Sequence, residues 1–211
     1  MTGKIKRRVI IGGLLMLLSA ILVCVYFALQ PIGRHDGAKI DISEVIPYLQ
    51  DGDIICRLGD RLWSLYIRNT SETDRRFSHV GIVRIRDGQI TVINAECLVS
   101  DREERVNEVT LEQFLEVARS IGVYRANFLD GPTISDGAMK YLNLPFDWKF
   151  DLSDTTTVYC TELIHRVILD HASKKYALET VRVTGLGKSV IPLEAISNSV
   201  NFDEVLYIDL R

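Results

Sequence analysis

Cysteine and histidine are both scarce in this chain, four of each in 211 residues. The cysteines at 24, 56, 97 and 160 form no CxxC pair and no zinc-type spacing with the histidines at 35, 79, 165 and 171, so no metal and no cofactor is expected. A Cys56–Cys97 disulfide stays open in an oxidising compartment. Basic runs are missing beyond the first eight residues. Those eight carry four positive charges, and the formal net charge of −3 therefore leaves −7 for the rest. An acidic body without clustered Lys and Arg gives nucleic acid no phosphate-binding surface. Internal repeats and low-complexity segments are absent too, which leaves one compact domain as the default.

The longest absence is of charge. From Val9 to Gln30, "VIIGGLLMLLSAILVCVYFALQ" carries none, long enough to span a bilayer as a helix. A cleaved signal peptide has a shorter apolar core and a small-x-small site, and no convincing one follows here. Ile21, Leu22 and Val23 before Cys24 do not make a lipoprotein signal either. The expectation is a basic cytoplasmic tail at 1–8, a transmembrane signal anchor at 9–30, a linker at 31–44 and a folded domain at 45–211. The positive-inside rule makes this a single-pass membrane protein with the folded domain extracytoplasmic, in the periplasm or on the cell surface.

Within the domain, "DGDIICRLG" reads as a turn and a strand, and "DRLWSLYIRNTS" as one or two helical turns. "TLEQFLEVARS" reads as an amphipathic helix capped by Thr110, "IGVYRANF" as a strand and "ISDGAMKYLNL" as a short helix. "IPLEAISNS" and "EVLYIDL" close the chain as helix and strand. Without βαβ alternation, the class is α+β with a mostly antiparallel sheet.

The stretch "TTTVYCTELIHRV" raises the functional question. Cys160, Leu163, Ile164, Val167 and Ile168 fall on one helical face, with threonines before them to cap the helix. Position alone favours Cys160 as a small core residue; a nucleophile needs a base and a partner for that base. The hairpin around Asp87-Gly88, a two-residue type I′ signal, supplies both. Pairing Arg86 with Gln89 sets Ile85 opposite Ile90, Val83 opposite Val92, Gly81 opposite Asn94 and His79 opposite Glu96. These residues share one apolar, inward face, and a carboxylate beside an imidazole can fix its tautomer and free the other nitrogen to activate a thiol. The helix N-terminus should favour the thiolate. His165, His171 and His35 fall away from this arrangement, and Cys97 points to the opposite face of the strand.

"GDIICRLG", "FSHVGIV", "INAE", "LPFDW" and "YCTELIHRV", in that order, resemble the circularly permuted papain-like cysteine hydrolases of the YiiX/YebB type, in the NlpC-like amidase superfamily. The resemblance covers about residues 45 to 211 and implies a permuted papain-like core. It also implies Cys160 as nucleophile, His79 as general base and acid, and Glu96 as the residue orienting the imidazole. Tyr159 then falls beside the oxyanion, Asp53 in a mainly structural Gly-Asp turn that also lines the site, and Asp147 in the cleft. The implied activity is hydrolysis of an amide bond through a thioester, with cell-wall peptides (peptidoglycan fragments) as first substrate class. An acyl hydrolase or acyltransferase on lipid or N-acyl substrates is the enzymatic alternative, and a catalytically silent binding module the non-enzymatic one.

Overall fold

The computed structural model describes residues 2–29, 39–60, 62–97, 104–183 and 187–210, with the backbone alone for 2–9, 27–29 and 62. The expected linker and His35 lie outside the described residues up to position 38. The chain opens with helix α1 (Thr2–Leu29), then α2 (Ile42–Val45), strand β1 (Ile54–Gly59), α3 (Leu62–Arg68) and the hairpin β2 (His79–Arg86) and β3 (Gln89–Ala95). Next come β4 (Val106–Thr110), α4 (Leu111–Leu115), β5 (Ala118–Ala126), α5 (Gly131–Met139) and α6 (Cys160–His171). The small hairpin β6 (Val181–Val183) and β7 (Lys188–Val190), helix α7 (Glu194–Ser197) and β8 (Phe202–Asp209) end it.

Six strands form one sheet in the order β4-β3-β2-β1-β5-β8, with every neighbouring pair antiparallel. The class is therefore α+β as expected. Side chains alternate across each strand, and both faces of this sheet are covered. On one side Cys56, Val80, Ile82 and Ile93 pack against Leu163, Ile164, Val167 and Ile168 of α6. On the other, Ile55, Val83 and Val92 pack against Val45, Leu49 and Phe114. The hairpin's "inward" face is thus one of two buried faces, because segments flanking the sheet at both ends fold back over it. Ile40 and Val45 are buried here, so packing begins ahead of the expected boundary at 45.

The hairpin register is the one counted from the turn, from Arg86↔Gln89 to Ile82↔Ile93. Asp87 and Gly88 both sit at positive φ, as a type I′ turn requires. One other expectation changes. The helix capped by Thr110 stops at Leu115, and Ala118 to Ser120 enter β5. The edge position of β4 and the two three-residue strands β6 and β7 had no sequence signal. All four cysteines are free, with Cys56 buried in the first core. Gly52, at φ +79, lies so close to Gly131 that a Cβ would overlap its backbone. That contact explains the glycine in the Gly-Asp turn.

Among the described residues no helix is long and apolar enough to cross a membrane. In α1 the side chains described are those of 10–26, and they include Ile10 at 62 % and Met16 at 76 % exposure.

Candidate active site

Cys160 is the first residue of α6, and its burial, at 8 % exposure, comes from α6 lying across β2 and β3. The approach to it is pinned from behind. Arg166, two turns into the helix, donates to the carbonyls of Asp154 and Thr157 at 2.6 and 2.8 Å and to Glu162 Oε1. Glu162 in turn accepts the N–H of Tyr159, the residue before Cys160. The N-terminal cap is thus Tyr159 with Glu162, not one of the threonines. Burial of Glu162 raises its pKa while Arg166 opposes the shift.

His79 opens β2 and is held from three sides. Its ring lies 5.7 Å from that of Phe114, and its strand neighbour across β1 is Arg57. Its Nε2 is 2.8 Å from Asn94 Oδ1 and 3.8 Å from Glu96 Oε1. Glu96 also meets Arg57, whose Nη2 donates to its two oxygens at 2.9 and 3.2 Å. Arg57 also donates to the carbonyl of Phe114 and stacks 4.4 Å above that ring. His79 and Glu96 thus lie side by side as expected, at ion-pair distance, although the regular ladder between β2 and β3 stops at Ile82↔Ile93, and past β3 the N–H of Glu96 turns to Arg105 of the next segment.

Cys160, His79, Glu96, Arg57 and Tyr159 line one cleft of about 1020 Å³, part of it open to solvent. The two faces of β2 meet here. Cys160 belongs to the α6 side, His79 to the side of Phe114, and the thiol reaches the strand start closely enough for the Val80 N–H to act on it. Burial pushes the Cys160 thiol up to about 11, and the N–H groups of Thr161 and Val80 oppose this without cancelling it. The helix terminus thus does not yield a resting thiolate. The desolvation of the buried sulfur outweighs it.

Two expected site residues stand elsewhere. Asp53 is buried at the far end of β1, where it binds Arg125 at 2.8 Å and the N–H of Gln50 at 2.7 Å. Asp147 is buried in the loop before α6 and accepts the N–H groups of Lys149 and Asp151. Neither lines the cleft, and both hold loops. Tyr159 does line it, but its hydroxyl accepts the N–H of Ile191 at 3.0 Å. Burial also raises its pKa. Of the other histidines, His165 accepts the N–H of Leu178 and has its pKa lowered by burial. Sequence reasoning gave no role to Arg57 or Asn94, and it sent Cys97 away from a cleft that Cys97 in fact lines. The first two had a signal: a lone charge within "IICRLG", and an amide on the same face as His79. Among the described residues no group of three or more His, Cys, Asp or Glu side chains is placed to hold a metal ion.

The profile of the permuted papain-like amidase enzymes, YaeF/YiiX, C92 family, matches residues 48–185. Among solved structures, the metalloprotein YiiX from Escherichia coli O157:H7 is similar at a TM-score of 0.62 and 20% identity, covering 75% of this chain and 97% of that one. At that identity the likeness is one of fold. No curated protein matches the chain.

Proposed function

The chain belongs to the permuted papain-like amidase family and is a cysteine amidase-like hydrolase; on that premise we propose that it cleaves the amide bond of an N-acylated substrate, with the acyl chain lodged beside Cys160. The observation that carries this is the wall of the cleft. Trp63, Ile67, Phe146, Phe150 and Leu193 line it, and among the described residues its one Lys or Arg, Arg57, is already bound to Glu96. A cell-wall stem peptide brings free carboxylates that would seek unpaired cations there; an alkyl chain needs only apolar surface.

In this reading His79 takes the Cys160 proton as the sulfur attacks the carbonyl carbon. The tetrahedral intermediate collapses to a thioester, and the protonated imidazole hands the proton to the leaving amine. Water, deprotonated by the same imidazole, then releases the acid and restores the thiol. The backbone N–H of Cys160 at the helix start is the donor offered to the developing oxyanion. Nε2 is directed at Asn94, and the reading assigns these transfers to Nδ1.

Mass spectrometry of products from N-acyl amines with chains of four to twelve carbons, set beside peptidoglycan stem peptides, tests the substrate class. Each added methylene is expected to raise kcat/KM about fourfold, the equivalent of ~0.8 kcal/mol, until the cleft is filled. Equal or better turnover of stem peptides, with no chain-length trend, would return the wall peptide as substrate.

The same proposal places the enzyme on a membrane through its N-terminal helix. The uncharged run Val9–Gln30 and the exposed apolar side chains of α1 support it, as does the basic cluster before them. The full-length chain should fractionate with membranes, and a C-terminal alkaline phosphatase fusion should be active. An inactive fusion beside an active cytoplasmic reporter would reverse the orientation, and a shortened soluble form would replace the anchor with a signal peptide.

A further inference from the structure

Among the described residues the cleft holds one carboxylate without a partner. Asp60, the residue after β1, lines it, and its Oδ1 is buried with no hydrogen-bond donor. The other acidic residue of the wall, Glu96, is held by Arg57 at 2.9 Å. Buried acceptors left alone are rare in folded proteins, and one on a carboxylate costs free energy until a donor meets it.

The surroundings of Asp60 put it on the side of the base. Ser78, directly before His79, accepts the N–H of Gly59 at 3.1 Å and donates its own N–H to the Arg57 carbonyl at 2.8 Å, so the end of β1 runs alongside the start of β2. Ser64 closes the same corner, its Oγ so near Gly59 that a Cβ there would overlap it. Both serines line the cleft with Asp60. Opposite chemistry surrounds the nucleophile: the ring of Phe150 lies 5.1 Å from that of Tyr159, the residue before Cys160, and 6.3 Å from that of Phe146. One part of the cleft is thus aromatic and adjoins the thiol. The other is polar, carries a carboxylate and adjoins the imidazole. An amide held over Cys160 lays its acyl chain on the aromatic part and its amine toward His79, the group that protonates it.

We propose that Asp60 determines specificity for the leaving group: its carboxylate receives an ammonium carried on the amine side, which makes the preferred substrate an N-acylated diamine. From Arg57, opposite His79, the chain advances three residues to Asp60, about 10 Å of strand, a span that a diamine of a few methylenes and the aspartate side chain bridge together. The acidic excess of the chain beyond its first eight residues draws the same cations toward the cleft. The proposal rests on the reading of the cleft as an N-acyl amidase site, and its first test needs no turnover.

The test is isothermal titration calorimetry of full-length Cys160→Ala, in a non-ionic detergent, with three amides of matched length: N-hexanoyl putrescine (cationic), N-hexanoyl pentylamine (uncharged) and N-hexanoyl δ-aminovalerate (anionic). The cationic amide is expected to bind roughly 10- to 100-fold tighter than the uncharged one, the range for a hydrogen bond between charged groups, and the anionic amide more weakly than both. Asp60→Asn in the same background should erase the preference, and Asp60→Lys should turn it toward the anionic amide. Wild-type kcat/KM should follow the order of binding. Equal binding of the cationic and uncharged amides, or no binding of N-hexanoyl putrescine at all, overturns the proposal even if neither Asp60 variant folds. So does a preference for the cation that survives Asp60→Asn. If the cationic amide binds tightest and the wild type hydrolyses none of the three, the proposed function fails on its own, and the role of Asp60 as the cation's partner stands.

Discussion

Cys160→Ala is expected to abolish turnover, by roughly 10⁴-fold or more, and to cost about 1 kcal/mol of stability because only one small thiol is removed. His79→Ala should give a loss of the same order, and the double variant should be scarcely worse than either, since the proposed nucleophile and base would act as one unit. Steady-state kinetics together with thermal denaturation separate this from the core reading of Cys160: a variant that unfolds would mark the thiol as packing, and one that still turns over would remove it as nucleophile. The pH dependence has a definite sign. With its pKa pushed up to about 11 by burial, the resting sulfur is a neutral thiol, with roughly one molecule in 10⁴ ionised at pH 7. Alkylation of Cys160 by iodoacetamide should then rise about tenfold per pH unit from 7 toward 10. A plateau already reached near neutral pH would instead show a thiolate paired with imidazolium in the resting enzyme. In the proposed mechanism a neutral resting thiol would have His79 take the proton as the bond to carbon forms.

Much of this was legible in local patterns and little of it in their ends. The hairpin register followed from two residues, Asp87 and Gly88, because a two-residue turn leaves no freedom to slip. Six pairs counted outward from it would have reached Gly81 and Asn94, and the eighth His79 and Glu96. The observed ladder ends at Ile82↔Ile93. Beyond it each strand obeys another neighbour, β2 pairing with β1 at Arg57 and Glu96 bonding to Arg105. Pattern within one hairpin cannot express that competition. The helix of Cys160 was visible from its apolar spacing, yet not what flanks it: the cap came from Glu162, and Arg166 tied down the preceding loop through backbone carbonyls that no side-chain pattern records. Alternation on β2 showed which residues share a face. That the opposite face is buried as well depends on Leu163, Ile164 and Val167 of α6 arriving from elsewhere in the chain.

Glu96→Ala is expected to destabilise the protein by about 3–5 kcal/mol, the usual cost of leaving one partner of a buried ion pair alone. The reason is the placement of Arg57, 3 % exposed between Phe114 and the cleft. With Glu96 gone its charge keeps only the Phe114 carbonyl and the face of that ring, far short of what water supplies. Arg57→Ala should cost a similar amount by stranding the carboxylate. Arg57→Met/Glu96→Met, which removes both charges and keeps much of the volume, should recover most of the loss, because burying the pair already costs nearly what its attraction returns. In thermal denaturation of the full chain, a 3–5 kcal/mol loss should lower the midpoint by roughly 6–20 °C. Single variants within a degree or two of wild type would mean that water reaches the pair. A double variant as unstable as either single one would mean that the pair, and not mere charge balance, braces the start of β2 on which His79 stands. Activity reads the other half of the same contact. In Glu96→Ala the unpaired guanidinium beside His79 should shift the acid limb of kcat/KM to lower pH, since a neighbouring cation disfavours the imidazolium, and the paired removal in the double variant should bring that limb back.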